Sequence, residues 1–144
     1  LRERAAEQGT RMEELFVQSR NFRQSGFRAE AKKLSEQGRK YQAAMEDFNK
    51  KASEMIFQEK NKDRELNEID LHGLYVKEAV LKVEEAILAA EGRGDPVVRF
   101  IVGQGLHTTD RVPRLKPAMM SYIHQMPREV EADPRNAGVL VVSL

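Results

Sequence analysis

Residues 96–105 read PVVRFIVGQG, and this stretch decides the fold class of the second half of the chain. Residues 97–102 are rich in β-branched side chains, which is typical of a strand buried in the middle of a sheet. Gly103 and Gly105 follow directly, and glycine favours a turn at the end of a strand. We therefore predict a central strand over 97–102 that runs into a polar loop.

The segments on either side of this strand predict a β-α-β-α-β-β order. They are a strand over 68–71, a helix over 76–90 capped by Gly92, a helix over 113–125 that becomes regular at Lys116 or Pro117, and strands over 128–132 and 139–144 around a turn at 133–138. A strand–helix–strand crossover makes the first two strands parallel. The predicted fold is an α/β two-layer sandwich, with helices on one face of a mixed four-stranded sheet.

The first half of the chain has the heptad spacing of long helices. Apolar or small residues recur in steps of four and three at Phe27, Ala31, Leu34, Gly38, Tyr41, Met45, Phe48, Ala52 and Met55. A break at Ser25-Gly26 predicts a helical hairpin, and the polar segment 58–66 predicts a boundary between domains 1–66 and 67–144. Two helices alone bury little core, so we expect the hairpin to pack on the second domain or on a protein partner.

The composition narrows the class of protein. The 144 residues are 40% hydrophobic and 33% charged, and no run of residues is apolar enough to span a membrane, so we expect no membrane association. The absence of cysteine excludes disulfides, thiolate zinc sites and a cysteine nucleophile, and it suits a reducing, cytoplasmic location. The chain begins with Leu1, which predicts a fragment or a trimmed chain.

Positive charge is concentrated in the first half. Residues 1–66 carry a net charge of +3 and residues 67–144 a net charge of −2, with the most basic segment at 20–40. Such a segment is either a phosphate-binding surface or a solvated helix face, and both interpretations stay open.

Two short motifs should meet at one edge of the sheet, because parallel strands joined by a helix end on the same side. The first contains Asp70 and His72, which share one face of the strand. A carboxylate beside an imidazole makes an acid/base unit, and Gly73 lets a ligand approach the backbone. The alternative is that Asp70 caps the next helix and that His72 is a polar residue at the end of the strand.

The second motif offers groups that suit a phosphodiester backbone. Gly103 and Gly105 supply flexible backbone, and His107 is a second candidate for phosphate binding or acid/base chemistry. Three cations follow, namely Arg111, Arg114 and Lys116. A structural turn with solubilising charges is the alternative. The spacing of His72, His107 and Asp70 matches no standard metal site, so no metal-binding residues are assigned.

These motifs resemble those of the Smr (small MutS-related) family. Residues 69–73, IDLHG, are similar to its L-D-L-H-G signature, and residues 103–108, GQGLHT, to its second signature of G-x-G followed by His or Asn and then Ser or Thr. Residues 112–117 and 136–142 match in the same order. Residues 19–45 resemble the helical segment that precedes Smr domains in many eukaryotic members.

The resemblance implies a fold similar to the C-terminal domain of translation initiation factor three, and a role in nucleic-acid processing. Several members of the family are endonucleases that act on DNA or RNA, including messenger RNA on stalled ribosomes, so RNA or DNA is the implied partner, with the ribosome as another candidate. The family's acidic residue and histidine carry over to Asp70 and His72, and its glycines to Gly103 and Gly105. Gln104 departs from the Lys or Arg that is common there.

We therefore expect a nucleic-acid-binding domain with endonuclease activity, and RNA favoured over DNA. His72, oriented by Asp70, would take the proton of an attacking 2′-hydroxyl without a cofactor. The mechanistic rival is water activated by a divalent metal, Mg or Mn. The functional alternatives are a module that binds RNA, the ribosome or structured DNA without cutting it, and a protein-interaction scaffold.

Overall fold

The computed structural model describes residues 1–103 and 115–144. Its elements, in chain order, are α1 (Arg2–Gln24), α2 (Arg28–Asn61), β1 (Glu68–Asp70), α3 (Val76–Arg93), β2 (Val97–Ile101), α4 (Leu115–His124), β3 (Val130–Asp133) and β4 (Asn136–Ser143). This is the predicted β-α-β-α-β-β order after two helices. The chain forms two compact units, Leu1–Met55 and Ile56–Leu144.

The first unit is the helical hairpin that the spacing predicts. The chain turns at Ser25 and Gly26, and Gly26 adopts a φ of 87°, a backbone conformation that favours glycine. Buried Ser19 donates from its hydroxyl to the Ala31 carbonyl over 2.7 Å, which ties the two helices together. The predicted packing of this hairpin on the second domain or a protein partner stays a prediction.

Small residues allow the two helices to approach closely. Gly38 is buried, and a Cβ atom there would lie 2.5 Å from the ring of Phe16, which is closer than real Cβ atoms come to a neighbour. Ala31 and Ala52 on the same seam are also buried.

The second unit is built on the predicted mixed sheet, with strand order β1-β2-β4-β3. β1 and β2 are parallel, whereas β4 is antiparallel to both β2 and β3. The burial of β2 alternates, because Val98 and Phe100 are fully buried while the residues between them are partly exposed. Core residues of α3 and α4 cluster with them, namely Ala79, Val83, Ile87, Ala90, Met119 and Ile123.

Several element ends differ from the prediction. α3 continues to Arg93 and is capped by Gly94 rather than Gly92, because Gly94 has a φ of 78° and adopts the left-handed conformation that ends helices. α4 begins at Leu115, so Pro117 lies in its first turn, where a missing backbone N–H costs little. The predicted start of this helix at Pro113 lies outside the described residues.

The last two strands form a tighter hairpin than expected. β3 begins at Val130 and β4 already at Asn136, so the turn shrinks to two residues. The Asp133 carboxylate accepts hydrogen bonds from the backbone N–H of Arg135 and from the Arg99 side chain, and these bonds hold the pKa of Asp133 below its usual value. The strand pairing has a register shift between Ala132 and Asp133, next to these bonds.

No helix within residues 1–103 and 115–144 combines the length and the apolar character needed to cross a membrane.

Candidate active site

Asp70, the last residue of β1, carries a buried carboxylate that is fully engaged. Its side chain is only 2% exposed. Oδ1 accepts from the backbone N–H of His72 over 3.0 Å and lies 2.5 Å from His72 Nδ1, while Oδ2 accepts from Arg64 Nη2 over 3.3 Å. A buried carboxylate is tolerated only when it is paired and hydrogen-bonded in this way.

The Asp70 carboxylate fixes the orientation and the tautomer of His72. A carboxylate can only accept, so the proton of the neutral imidazole lies on Nδ1 and the lone pair lies on Nε2. The His72 side chain is 49% exposed, in contrast to its carboxylate partner. The imidazole is therefore half-exposed, while the carboxylate that orients it is buried.

Asn61, the last residue of α2, holds β1 in place from the side. β1 is an edge strand, so alternate backbone groups have no neighbouring strand to pair with. The Asn61 side-chain amide satisfies both groups of Asp70, since it accepts from the Asp70 N–H over 2.7 Å and donates to the Asp70 carbonyl over 2.9 Å. One side chain takes the place of a strand partner at the residue that carries the carboxylate.

Asn61→Leu should loosen this end of β1. The substitution leaves the N–H and the carbonyl of Asp70 without protein partners, which we expect to lower the free energy of unfolding of the second unit by about 1–3 kcal/mol. Hydrogen exchange at the Asp70 amide should become faster in the variant. Gln58→Leu, at an exposed position of the same helix, is the matched control. Unchanged exchange at Asp70 in Asn61→Leu would contradict this account.

Two cations from the end of α2 and the following turn complete the surroundings of Asp70 and His72. Lys60 Nζ lies 2.5 Å from His72 Nε2. Arg64 bonds to Glu68 as well as to Asp70, and its Nε donates to the Lys60 carbonyl over 3.1 Å. Arg64 thus pairs with the carboxylates of Glu68 and Asp70, whereas Lys60 contacts His72.

Two glycines bring backbone close to this cluster. Gly73 has a φ of 91° and Gly103 a φ of 75°, and both values favour glycine. A Cβ atom on Gly73 would lie 3.3 Å from Lys60 Nζ, and one on Gly103 would lie 3.8 Å from His72 Cβ. Gly138 at the start of β4 fixes the end of β2, because its carbonyl accepts from the N–H of Gly103 over 3.1 Å.

The structure thus brings together four of the residues predicted from the sequence, namely Asp70, His72, Gly73 and Gly103. Lys116 lies half-buried in the first turn of α4, and no contact within the described residues links it to His72. Gly105, His107, Arg111 and Arg114 lie outside the described residues, as does Gln104. The binding and catalytic roles assigned to all these residues stay predictions.

No group of three or more His, Asp or Glu side chains in the described part of the chain is placed to hold a metal ion. Asp70 and His72 are two such side chains, but the remaining partners of this cluster are cations and an amide.

Sequence reasoning missed Lys60, Asn61 and Arg64 as parts of the site. They lie in the polar segment 58–66, which has no apolar periodicity and therefore predicts only a linker or a helix end. Their contacts with Asp70 and His72 depend on how the chain folds back along β1. The one local signal was an unusual density of charge just before the first motif.

Comparison with known proteins follows the division into two units. The Smr domain family model matches residues 69–144, and the model of a domain of unknown function, DUF1771, matches residues 1–61. The chain is 37% identical, over all its 144 residues, to Endonuclease NBR9 of Saccharomyces cerevisiae, of which it covers 60%. It is 33% identical over 127 residues to an Smr domain-containing protein of Schizosaccharomyces pombe, with 88% of this chain and 62% of that protein covered.

A solved structure agrees with the fold. The solution structure of the B3BP Smr domain is similar with a TM-score of 0.52 and 29% identity, over 67% of this chain and 95% of that one. The chain spans about three fifths of the length of the two fungal relatives.

Proposed function

This chain belongs to the Smr domain family, and from that premise we propose that it binds nucleic acid and cleaves phosphodiester bonds, with RNA favoured over DNA. The observation that carries the proposal is the Asp70–His72 pair, in which a buried carboxylate orients a half-exposed imidazole whose second nitrogen meets the Lys60 ammonium. Such a pair can serve as a general acid/base unit. The name of the Saccharomyces cerevisiae relative, an endonuclease, supports the same activity.

The surroundings of the pair suit an anionic polymer. A Cβ on Gly73 would lie 3.3 Å from Lys60 Nζ and one on Gly103 would lie 3.8 Å from His72 Cβ, and Lys60 adds a positive charge beside His72. Lys116, a further predicted phosphate-binding cation, lies in the first turn of α4, where the helix dipole is also positive. A phosphate group neutralises such charges, and phosphate contacts supply much of the affinity of proteins for nucleic acids.

The chemistry that follows from the pair is attack by an internal hydroxyl. His72 Nε2 takes the proton of an RNA 2′-hydroxyl, whose oxygen forms a bond to phosphorus. The bond from phosphorus to the 5′-oxygen breaks, and that oxygen takes a proton from water or from His107. The products are a 2′,3′-cyclic phosphate and a 5′-hydroxyl. DNA has no 2′-hydroxyl, which is the reason for favouring RNA.

Cleavage of matched single-stranded RNA and DNA in EDTA tests the proposal. We expect the RNA to be cut in EDTA with cyclic phosphate ends, and we expect neither the DNA nor 2′-O-methylated RNA to be cut. Cutting that is lost in EDTA, restored by Mg²⁺ or Mn²⁺ and accompanied by 3′-hydroxyl ends would replace the internal attack with metal-activated water.

A module that binds nucleic acid without cutting it is the second candidate. The observation that favours it is Gln104, which stands where members of the family commonly have Lys or Arg. In that case RNA of every sequence stays intact, and the double variant Asp70→Asn with His72→Ala retains the affinity of the original chain.

A further inference from the structure

We propose that Lys60 is the phosphate-binding cation of the Asp70–His72 site, and that its ammonium covers His72 Nε2 until a phosphodiester draws it away. This inference rests on the proposed function and adds to it a residue outside the Smr-matched segment. That segment begins at residue 69, whereas Lys60 lies in the last turn of α2.

The charge of Lys60 is not neutralised by a carboxylate. Within residues 1–103 and 115–144 its ammonium meets the neutral ring nitrogen of His72 and makes no ion pair. Its neighbours differ, because Lys62 pairs with Glu59 over 2.9 Å and Arg64 pairs with both Glu68 and Asp70. Among these three side chains, Lys60 is therefore the one that no carboxylate within the described residues pairs with, and it lies beside His72.

Contacts with the site fix the position of Lys60. Its side chain runs over Gly73, where any larger residue would crowd the ammonium group. Arg64 bonds to the backbone carbonyl of Lys60 and to the carboxylate of Asp70, which links the end of α2 to the pair. The same helix end contributes Asn61, which holds the backbone of Asp70.

The present contact of Lys60 cannot persist during the reaction. While the ammonium donates to His72 Nε2, that nitrogen has no lone pair left to accept a proton from a hydroxyl. A phosphate oxygen carries negative charge, so it is a better partner for the ammonium than a neutral nitrogen. The flexible four-carbon stem lets Lys60 move from one to the other. Binding of the phosphate and release of the base are then one event.

The substrate class follows from the move of the Lys60 ammonium from His72 Nε2 to a phosphate oxygen. The substrate is a phosphodiester with a hydroxyl on the adjacent carbon. The same molecule then supplies the oxygen that attracts Lys60 and the proton that His72 takes.

Three variants of the whole chain test the role of Lys60. Lys60→Met removes the charge, Lys60→Arg retains it, and Lys62→Met removes a charge two residues away that faces Glu59 instead of His72. The first readout is the single-turnover rate on single-stranded RNA. The second is the slope of log affinity against log salt for the same RNA with 2′-O-methyl groups, which binds without being cut. Circular dichroism confirms that each variant is folded.

We expect Lys60→Met to lower the rate by about 100-fold and to reduce the salt slope by about 0.7, the change for one lost contact to a single-strand phosphate. Lys60→Arg should restore the slope, and Lys62→Met should change neither quantity appreciably. A lower rate with an unchanged slope would show that Lys60 only positions His72, and equal behaviour of the two Met variants would show that it has no special role. Either result overturns the proposal.

The two proposals fail in different ways. If the original chain cuts no RNA, the proposed nuclease activity is wrong, and the salt slope on methylated RNA alone decides the role of Lys60. If the chain cuts RNA in a His72-dependent manner but Lys60→Met behaves as Lys62→Met does, the nuclease activity stands and the role of Lys60 is wrong.

Discussion

Replacing His72 with alanine is expected to lower the rate of RNA cleavage by about 10²–10⁴-fold, because the variant has no group to take the proton of the attacking hydroxyl. Asp70→Asn should lower the rate within the same range. An amide in place of the carboxylate no longer requires the imidazole proton to stay on Nδ1, so the lone pair is no longer held on Nε2. Single-turnover cleavage of one labelled RNA measures both effects.

The double variant shows whether Asp70 and His72 act as a unit or contribute independently to the rate of cleavage. Groups that act as a unit are strongly non-additive, so Asp70→Asn with His72→Ala should be hardly slower than His72→Ala alone. Glu85→Gln, at an exposed position on α3, is the control for loss of a carboxylate. If the two single effects multiply in the double variant, Asp70 does not work through His72.

The largest effect on stability is expected from Phe100→Ala in the second unit. Phe100 is fully buried in β2, between Ile69 of β1 and Leu140 of β4. Truncation removes its buried apolar surface and leaves a cavity, which should lower the free energy of unfolding by about 3–5 kcal/mol. Urea unfolding can be followed by near-UV circular dichroism, because Tyr75 and Tyr122 lie in this unit.

The control for this prediction is an apolar residue that contributes little to the core. Leu88 on α3 is 71% exposed, so Leu88→Ala should change the same free energy by no more than about 0.5 kcal/mol. A small effect of Phe100→Ala, equal to that of Leu88→Ala, would mean that β2 is not the centre of the core.

Local patterns were enough to predict the order of elements and the sheet. The apolar run at 97–102 becomes β2, and the heptad seam becomes a hairpin that turns at Ser25 and Gly26. Both depend on the spacing of neighbouring side chains, which the sequence displays directly. The ends of elements were predicted less well, as Gly94 shows, because two nearby glycines can each end a helix and the sequence pattern does not decide between them.

The sequence predicted only the part of the candidate site that follows from the topology of the parallel strands. That topology explains why Asp70 and Gly103 meet at one edge of the sheet. Lys60 and Asn61 lie at the end of α2, and no sequence pattern indicates that this helix end contacts β1. Only the folded chain shows their contacts with His72 and Asp70. Asn61 in particular looks like an ordinary polar residue until its amide is seen against the backbone of Asp70.

The pairing of Asn61 with β1 has a consequence for the edge of the sheet that β1 forms. The outward N–H groups of β1 are both occupied, that of Glu68 by the Glu65 carbonyl and that of Asp70 by Asn61. A strand from another molecule therefore finds no donors there on which to add, which is how natural proteins keep a sheet from templating aggregation. Asn61, which holds the backbone of Asp70, thus also occupies a donor through which another strand could add to this edge.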